Sequence, residues 1–322
     1  EMLKIDPDNV TALNFKAWNL LHDEENLKEN AREALEIFEK IGKIEPDNLL
    51  RYQNESWLLG MLDRNEDTIE VIEMGLKRFP KDNTLLRNLG IALWNVKRFD
   101  DYEQCWLTIN KLNPNDLSAL FNLGKVNEYQ KEYASAIEYY KKAMEIDADW
   151  GGWELQFRIG YCYSQDDQEY QGLHYYKIAE AKCEPGEGQA LFNNIGLALS
   201  NMDKEEEAIE YYHKSLAIEE TSNTLKNLGS LYQDQGKFQE AVEYMTSAVK
   251  MEKESRKNGE PSYDLSIDWF LYQIARCYHE LHEYEKALEN VSEAIQIEED
   301  IINTANEQKQ EVEVIEKSSL SD

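Results

Sequence analysis

Apolar and small residues return along this chain at helical spacing, in pairs of short stretches separated by polar turns. Residues 115–148 show the unit. In its first half Leu120, Leu123 and Gly124 share a side. After a turn near Lys131 and Glu132, residues Ala136, Tyr140 and Ala143 share a side, at steps of four and three. The spacing predicts two helices, neither able to bury its apolar stripe alone. Gly124, Ala136 and Ala143 are small where a close helix crossing needs smallness. Leu120, Leu123 and Tyr140 are large enough to fill the space between.

We number the small residue of each first helix as position eight. It recurs at Ala17, Ser56, Gly90, Gly124, Gly160, Gly196, Gly229 and Ala275, with steps of 34, 34, 36, 36 and 33 between Ser56 and Gly229. A second series follows twelve residues later in most units, at Thr68, Tyr102, Ala136, Gly172, Ala208, Ala241 and Ala287. Polar clusters separate the units, with proline at Pro7, Pro46, Pro80 and Pro114. Proline there ends one helix and presets the next.

Two places break the period. HDEENLKENAR lengthens the turn of the first unit, and residues 252–268 raise the step from Gly229 to Ala275 to 46. Gly and Pro in the second stretch predict a loop, or a longer second helix followed by a loop. The array is expected over residues 1–297. A polar capping helix over 298–315 and a frayed tail over 316–322 should follow. The opening EMLKIDPDN reads as the end of a second helix, so the natural protein is expected to continue upstream.

This pattern resembles the tetratricopeptide repeat (TPR) family over nearly the whole chain. The family has a large residue, Leu-Gly, Tyr, Ala, an aromatic, Ala and Pro in order. Leu120, Leu123-Gly124, Ala136, Tyr140 and Ala143 match it. So do Phe192, Ile195-Gly196, Ala208 and Tyr212, and then Leu225, Leu228-Gly229, Tyr232, Ala241 and Ala248. Thr68, Tyr102 and Trp106 depart from it. The resemblance implies an all-α fold of about eight helix-turn-helix repeats in a right-handed superhelical solenoid. It also implies a protein-interaction scaffold. A second reading stays open, in which the array is the substrate-recognition arm of a larger enzyme whose catalytic domain lies outside this chain.

Charge narrows the partners. The chain carries 64 acidic against 34 basic residues, a net charge of -30. Such a surface repels nucleic acid and anionic lipid and would admit a basic or neutral peptide. Much of the acidity belongs to the solvated faces of helices. No apolar run reaches the length of a membrane span. Cys105, Cys162, Cys183 and Cys277 form no CxxC, so four reduced thiols and a cytoplasmic setting are expected.

No catalytic constellation, metal set or cofactor motif is found. HExxH, GxSxG and a phosphate loop are absent. His279 and His282, with Cys277 and Glu283 nearby, lack a further ligand pair and read as surface residues. The Asn-x-Ser/Thr sequences at Asn9, Asn54 and Asn290 read as chance.

The informative series is at position six. On a helix at about 100° per residue, positions four, seven, eight and eleven pack together, while two, six, nine and thirteen face away. Position six reads Asn54, Asn88, Asn122, Arg158, Asn194 and Asn227. Asparagine is a mediocre helix former, so its recurrence asks for a reason. In the family the first helices line the concave side, and in one member asparagines at the equivalent position hold an extended peptide by its backbone. An amide offers a donor and an acceptor together and can grip one peptide group at both ends. Bonding between neighbouring repeats would account for the same recurrence, and so would simple duplication of one repeat. Position nine carries Trp18, Trp57, Ile91, Lys125, Tyr161 and Leu197, with Trp94 and Phe121 alongside. Apolar groups there suggest a contact surface, or side chains partly covered by the next repeat. The family's carboxylate clamp is not supported. Arg87, Asn122 and Arg158 resemble parts of it, but Ile91 stands where it needs Asn and Glu154 where it needs Lys.

Overall fold

The computed structural model describes residues 2–22, 27–258 and 266–319, and their side chains except at 301 and 304–319. All regular structure among them is helical. After a single turn, α1 (Met2–Ile5), eight helix pairs follow. The chain divides into two compact units, Glu1–Gly151 and Gly152–Asp322. Unit 1 holds α2 (Val10–Leu20) with α3 (Leu27–Ile44), and α4 (Leu49–Met61) with α5 (Asn65–Arg78). It continues with α6 (Asn83–Asn95) and α7 (Phe99–Leu112), then α8 (Leu117–Tyr129) and α9 (Tyr133–Ile146). Unit 2 holds α10 (Glu154–Gln165) with α11 (Glu169–Lys182), and α12 (Gln189–Asn201) with α13 (Glu205–Ile218). The last pairs are α14 (Ser222–Asp234) with α15 (Phe238–Lys257), and α16 (Ile267–Glu280) with α17 (Tyr284–Ser319). Each unit is a stack of helix pairs, the all-α solenoid expected. The connection between units passes through Gly151 and Gly152, at φ 74° and 58°.

The polar clusters between pairs are helix caps. Asn9, Asn48, Asp82 and Asp116 each accept a hydrogen bond from the backbone N–H three residues on, at 2.9–3.1 Å. Each satisfies one of the donors that a helix start leaves orphaned. The turn inside each pair has another device. Position fifteen is left-handed in every pair from the second to the eighth: Asp63, Lys97, Lys131, Asp167, Asp203, Gly236 and His282, at φ 55–72°. Only one of these is glycine, although that region favours it.

Packing within a pair follows one size rule. A Cβ on Gly90, Gly160, Gly196 or Gly229 would stand 2.6–2.8 Å from Trp106, Tyr176, Tyr212 or Met245, sixteen residues later. Where position eight is Ser56 or Ala275, the residue sixteen later is the smaller Ile72 or Val291. A missing side chain on one helix thus makes room for a large one on its partner. Trp106, which departs from the family pattern, is accommodated by the same rule against Gly90.

The irregular stretches partly become helix. α3 has 18 residues and α15 has 20, against 14 in α5, α7, α9, α11 and α13. Residues 23–26 and 259–265, which hold the rest of these extensions, lie outside the described residues. The segment expected to cap the array continues α17 without a break. The side chains by which it would do so, and tail residues 320–322, also lie outside the described residues.

Candidate functional site

The first helices carry the asparagine series, and the structure divides it. Asn88 Nδ2 donates to Ser56 Oγ on the preceding first helix, at 2.9 Å. Asn122 Oδ1 accepts the Tyr102 hydroxyl of α7 at 2.7 Å, while its Nδ2 donates to the Ser118 carbonyl. Asn227 Nδ2 donates to Asn193 Oδ1 of α12 at 3.0 Å. These three amides tie repeats together. Asn194 differs, donating only to the Ala190 carbonyl of its own helix, at 2.8 Å. Asn54 is half-buried, with no hydrogen bond to its amide among the described residues. Arg158, at the same position in α10, is ion-paired with Glu154 one turn earlier. Amides at positions thirteen and fourteen tie repeats as well. Asn95 donates to Asn65, Asn201 to Glu169 and Gln235 to Glu205, each at the start of the preceding second helix.

The aromatic residues divide too. Trp18 and Trp57 stand on successive first helices with ring centroids 5.9 Å apart and planes at 23°, and both are well exposed. Ile91 continues that exposure on α6. Trp94 instead packs against Phe99 and Tyr102, with the Lys125 ammonium 4.5 Å above its ring. Phe121 packs against Tyr140 and Trp150. Tyr161 packs onto the core of unit 2. Trp94, Phe121 and Tyr161 are therefore part-buried, whereas Trp57 presents its ring to solvent.

Some residues at these positions do not follow from the asparagine pattern. Phe15 and Gln273 occupy position six in the first and last pairs, and Gln273 accepts from Arg276 at 2.9 Å. Gln53 and Arg87, at position five, reach forward to the capping carboxylates Asp82 and Asp116 of the next first helix. Arg87, one of the residues suggestive of a carboxylate clamp, is thus engaged within the protein. Glu55 occupies position seven, which is Leu or Ile in every pair from the third to the eighth. It is buried and ion-paired with Arg51 at 2.9 Å. Burial pushes its carboxyl above the usual range, against the opposing pull of the Arg51 guanidinium.

The remaining chemistry is quiet. Burial pushes the Cys105 thiol up to about 12 and the Cys277 thiol up to about 11. Cys183 is partly exposed, and its thiol is raised by burial and by Glu187, Glu184 and Glu180. His282 is a left-handed turn residue with Nδ1 3.0 Å from the Tyr284 hydroxyl. Among the described residues, no group of His, Cys, Asp and Glu is placed to hold a metal ion. No helix among them is long and apolar enough to cross a membrane.

Comparison with known proteins gives the same units. Models of the tetratricopeptide repeat match residues 118–150, 189–254 and 270–301. The BBSome complex member BBS4 of Mus musculus is 31% identical over 142 residues, 43% of this chain and 26% of that protein. BBS4 of Bos taurus matches to the same extent. The match thus spans about a quarter of the length of these curated relatives. A tetratricopeptide repeat protein from Parabacteroides merdae ATCC 43184 superposes with a TM-score of 0.62 at 14% identity. That superposition covers 82% of this chain and 98% of that one. YrrB, described as a TPR protein with an unusual peptide-binding site, gives 0.50 at 17% identity, covering 58% and 95%. At these identities the two structures show a shared fold. The three matched stretches fall on the helix pairs that the period marks out, and over them the chain carries tetratricopeptide repeats.

Proposed function

We propose that the chain is a non-catalytic scaffold that holds an extended segment of a partner protein along the inner faces of the first helices within a unit. The observation that carries this is the unspent hydrogen-bonding capacity of Asn54 and Asn194, beside exposed apolar groups at position nine. Among the described residues neither amide bonds another repeat. A helix interior has no propensity-based reason to keep asparagine over alanine. Asn88 and Asn227, though tied through Nδ2, each keep a carbonyl oxygen that a peptide N–H can reach. YrrB, with the same fold, is described as having a peptide-binding site. BBS4 is described as a member of a complex, the setting in which such a scaffold works.

The test is the Asn54→Ala, Asn194→Ala double variant. Partners captured by the wild-type chain are identified by mass spectrometry, and the affinity of one purified partner is then measured. A net hydrogen bond is worth about 0.5–1.5 kcal/mol, so each amide that a partner engages should weaken binding by roughly 2- to 12-fold when lost. The melting temperature should hold or rise slightly. Unchanged affinity in a folded double variant overturns the groove reading.

A further inference from the structure

Chain-wide charge suggests a basic partner, but the inner positions of unit 1 tell a different story. Positions two, six, nine and thirteen of α2, α4 and α6 carry no Asp, Glu, Lys or Arg, although 30% of the chain is charged. Glu55 of α4 is buried and paired with Arg51, and acids such as Glu29, Glu33 and Glu36 on α3 and Glu66, Glu70 and Glu73 on α5 belong to second helices. The inner positions show apolar surface instead. Trp18, Trp57 and Ile91 are 43%, 42% and 60% exposed, and Phe15 and Leu50 are exposed as well.

Beside Trp57 a pocket of about 270 Å³ opens among α4, α5 and α6, lined by Ser56, Gly60, Thr68 and Ile91. A Cβ added to Gly60 would meet nothing within 4 Å, so the space above it is open. Asn88 stands at the wall with Nδ2 bonded to Ser56, which fixes its carbonyl oxygen as an acceptor. A cation seated here would lose water and find no carboxylate at these positions. An apolar side chain would gain from leaving water.

We infer that this strip takes an uncharged extended segment of a partner protein, with one large aliphatic or aromatic side chain seated over Gly60 between Trp57 and Ile91. The inference rests on the groove reading and adds the charge class of the partner and the place where it anchors.

Random peptides displayed on phage and selected on the full chain provide the probe. Enriched peptides should share a Leu, Ile, Met or Phe and show no excess of Lys or Arg. A synthetic copy should bind with little dependence on salt, because no exposed ion pair forms for salt to screen. Gly60→Leu fills the open space without touching the core. It should weaken that peptide at least about tenfold without lowering the melting temperature. Lys- or Arg-rich peptides whose binding collapses with salt would overturn the inference. So would peptides lost on Asn54→Ala but kept on Gly60→Leu, and both results leave the groove reading in place. Peptides indifferent to both variants, or no selected peptide at all, would overturn the two together. A chain that dimerises in sedimentation, and becomes monomeric on Gly60→Leu, would show that a second copy occupies the strip and would also overturn the inference.

Discussion

Gly124 lies against the ring of Tyr140, so close that a Cβ on Gly124 would overlap Cε1. The ring is fully buried, and its hydroxyl donates to Glu128 at 2.8 Å. The two residues form one steric unit across α8 and α9. Gly124→Leu should therefore cost roughly 1–3 kcal/mol or more by overpacking. The pair Ser56 and Ile72 in the second repeat indicates a compensated form. Gly124→Ser combined with Tyr140→Ile should lose less than the sum of the single changes, which a double-mutant cycle in urea would read. Strict additivity would separate the two positions. Hydrogen exchange in the Leu variant should show opening first in the neighbouring pairs, because repeats contact mainly their neighbours.

The left-handed turns offer a gain. Lys131 sits at φ 64°. An L-residue there is strained by roughly 1–2 kcal/mol, partly offset by the entropy that glycine loses on folding. Lys131→Gly should raise stability by about 0.5–1 kcal/mol in chemical denaturation, and Gly236→Lys should lower it by a similar amount. Opposite signs at these two equivalent positions are the expected result.

Glu55 sets a pH dependence. Its folded carboxyl is held above the ordinary 4.5, so the native state binds the proton more tightly than the unfolded chain does. The stability from this site is fully present below the unfolded value and is lost as pH rises through the folded one. Arg51→Met leaves the buried carboxylate without its cation and should cost about 3 kcal/mol at neutral pH. The loss should shrink as pH is lowered, because the lone carboxyl then takes up its proton. Arg51→Met with Glu55→Leu should recover most of the loss at every pH. A single variant whose deficit is the same at neutral and at mildly acidic pH would show that the missing charge is not its cause.

The thiols give a direct count. Cys105, Cys162 and Cys277 are buried and Cys183 is partly exposed. A maleimide reagent should label Cys183 first in the native protein, and all four only after denaturation. Fewer than four free groups under denaturing, non-reducing conditions would reveal a disulfide.

The Asn122→Ala variant separates the two roles of the series. It removes the acceptor of the Tyr102 hydroxyl, so it should lower the melting temperature before any partner is added. Asn194→Ala, which breaks only a bond within its own helix, should not.

The period was legible in the sequence because position eight and its partner sixteen residues on must be complementary in size, and that requirement leaves glycines at regular intervals. The caps were legible for a similar reason, since only a short polar side chain satisfies a helix start. Residues 27–32 look like turn by composition, yet they belong to α3, whereas 252–257 extend α15 as the longer second helix that was one of the two expectations there. Helix length there is set by the packing available, which local composition does not record. The asparagine series marks a position and not a partner. Asn88, Asn122 and Asn227 are alike in sequence but meet Ser56, Tyr102 and Asn193. Those neighbours come from other repeats and vary one by one. Glu55 was hidden because an acid at an apolar position makes sense only with Arg51 one turn away, on the same helix.

The left-handed residue at position fifteen makes each pair from the second onward a cassette of fixed gauge. From position eight to the turn is always seven residues, whatever the distance to the next pair. Beyond the second pair, changes of spacing fall after the turn, at the end of a second helix or in the connector that follows it. A reporter peptide spliced into a connector, such as the one after Ile146, should leave the cassettes on both sides able to fold. The same peptide placed at Lys131 should wreck its own cassette, because the turn has no slack to absorb it.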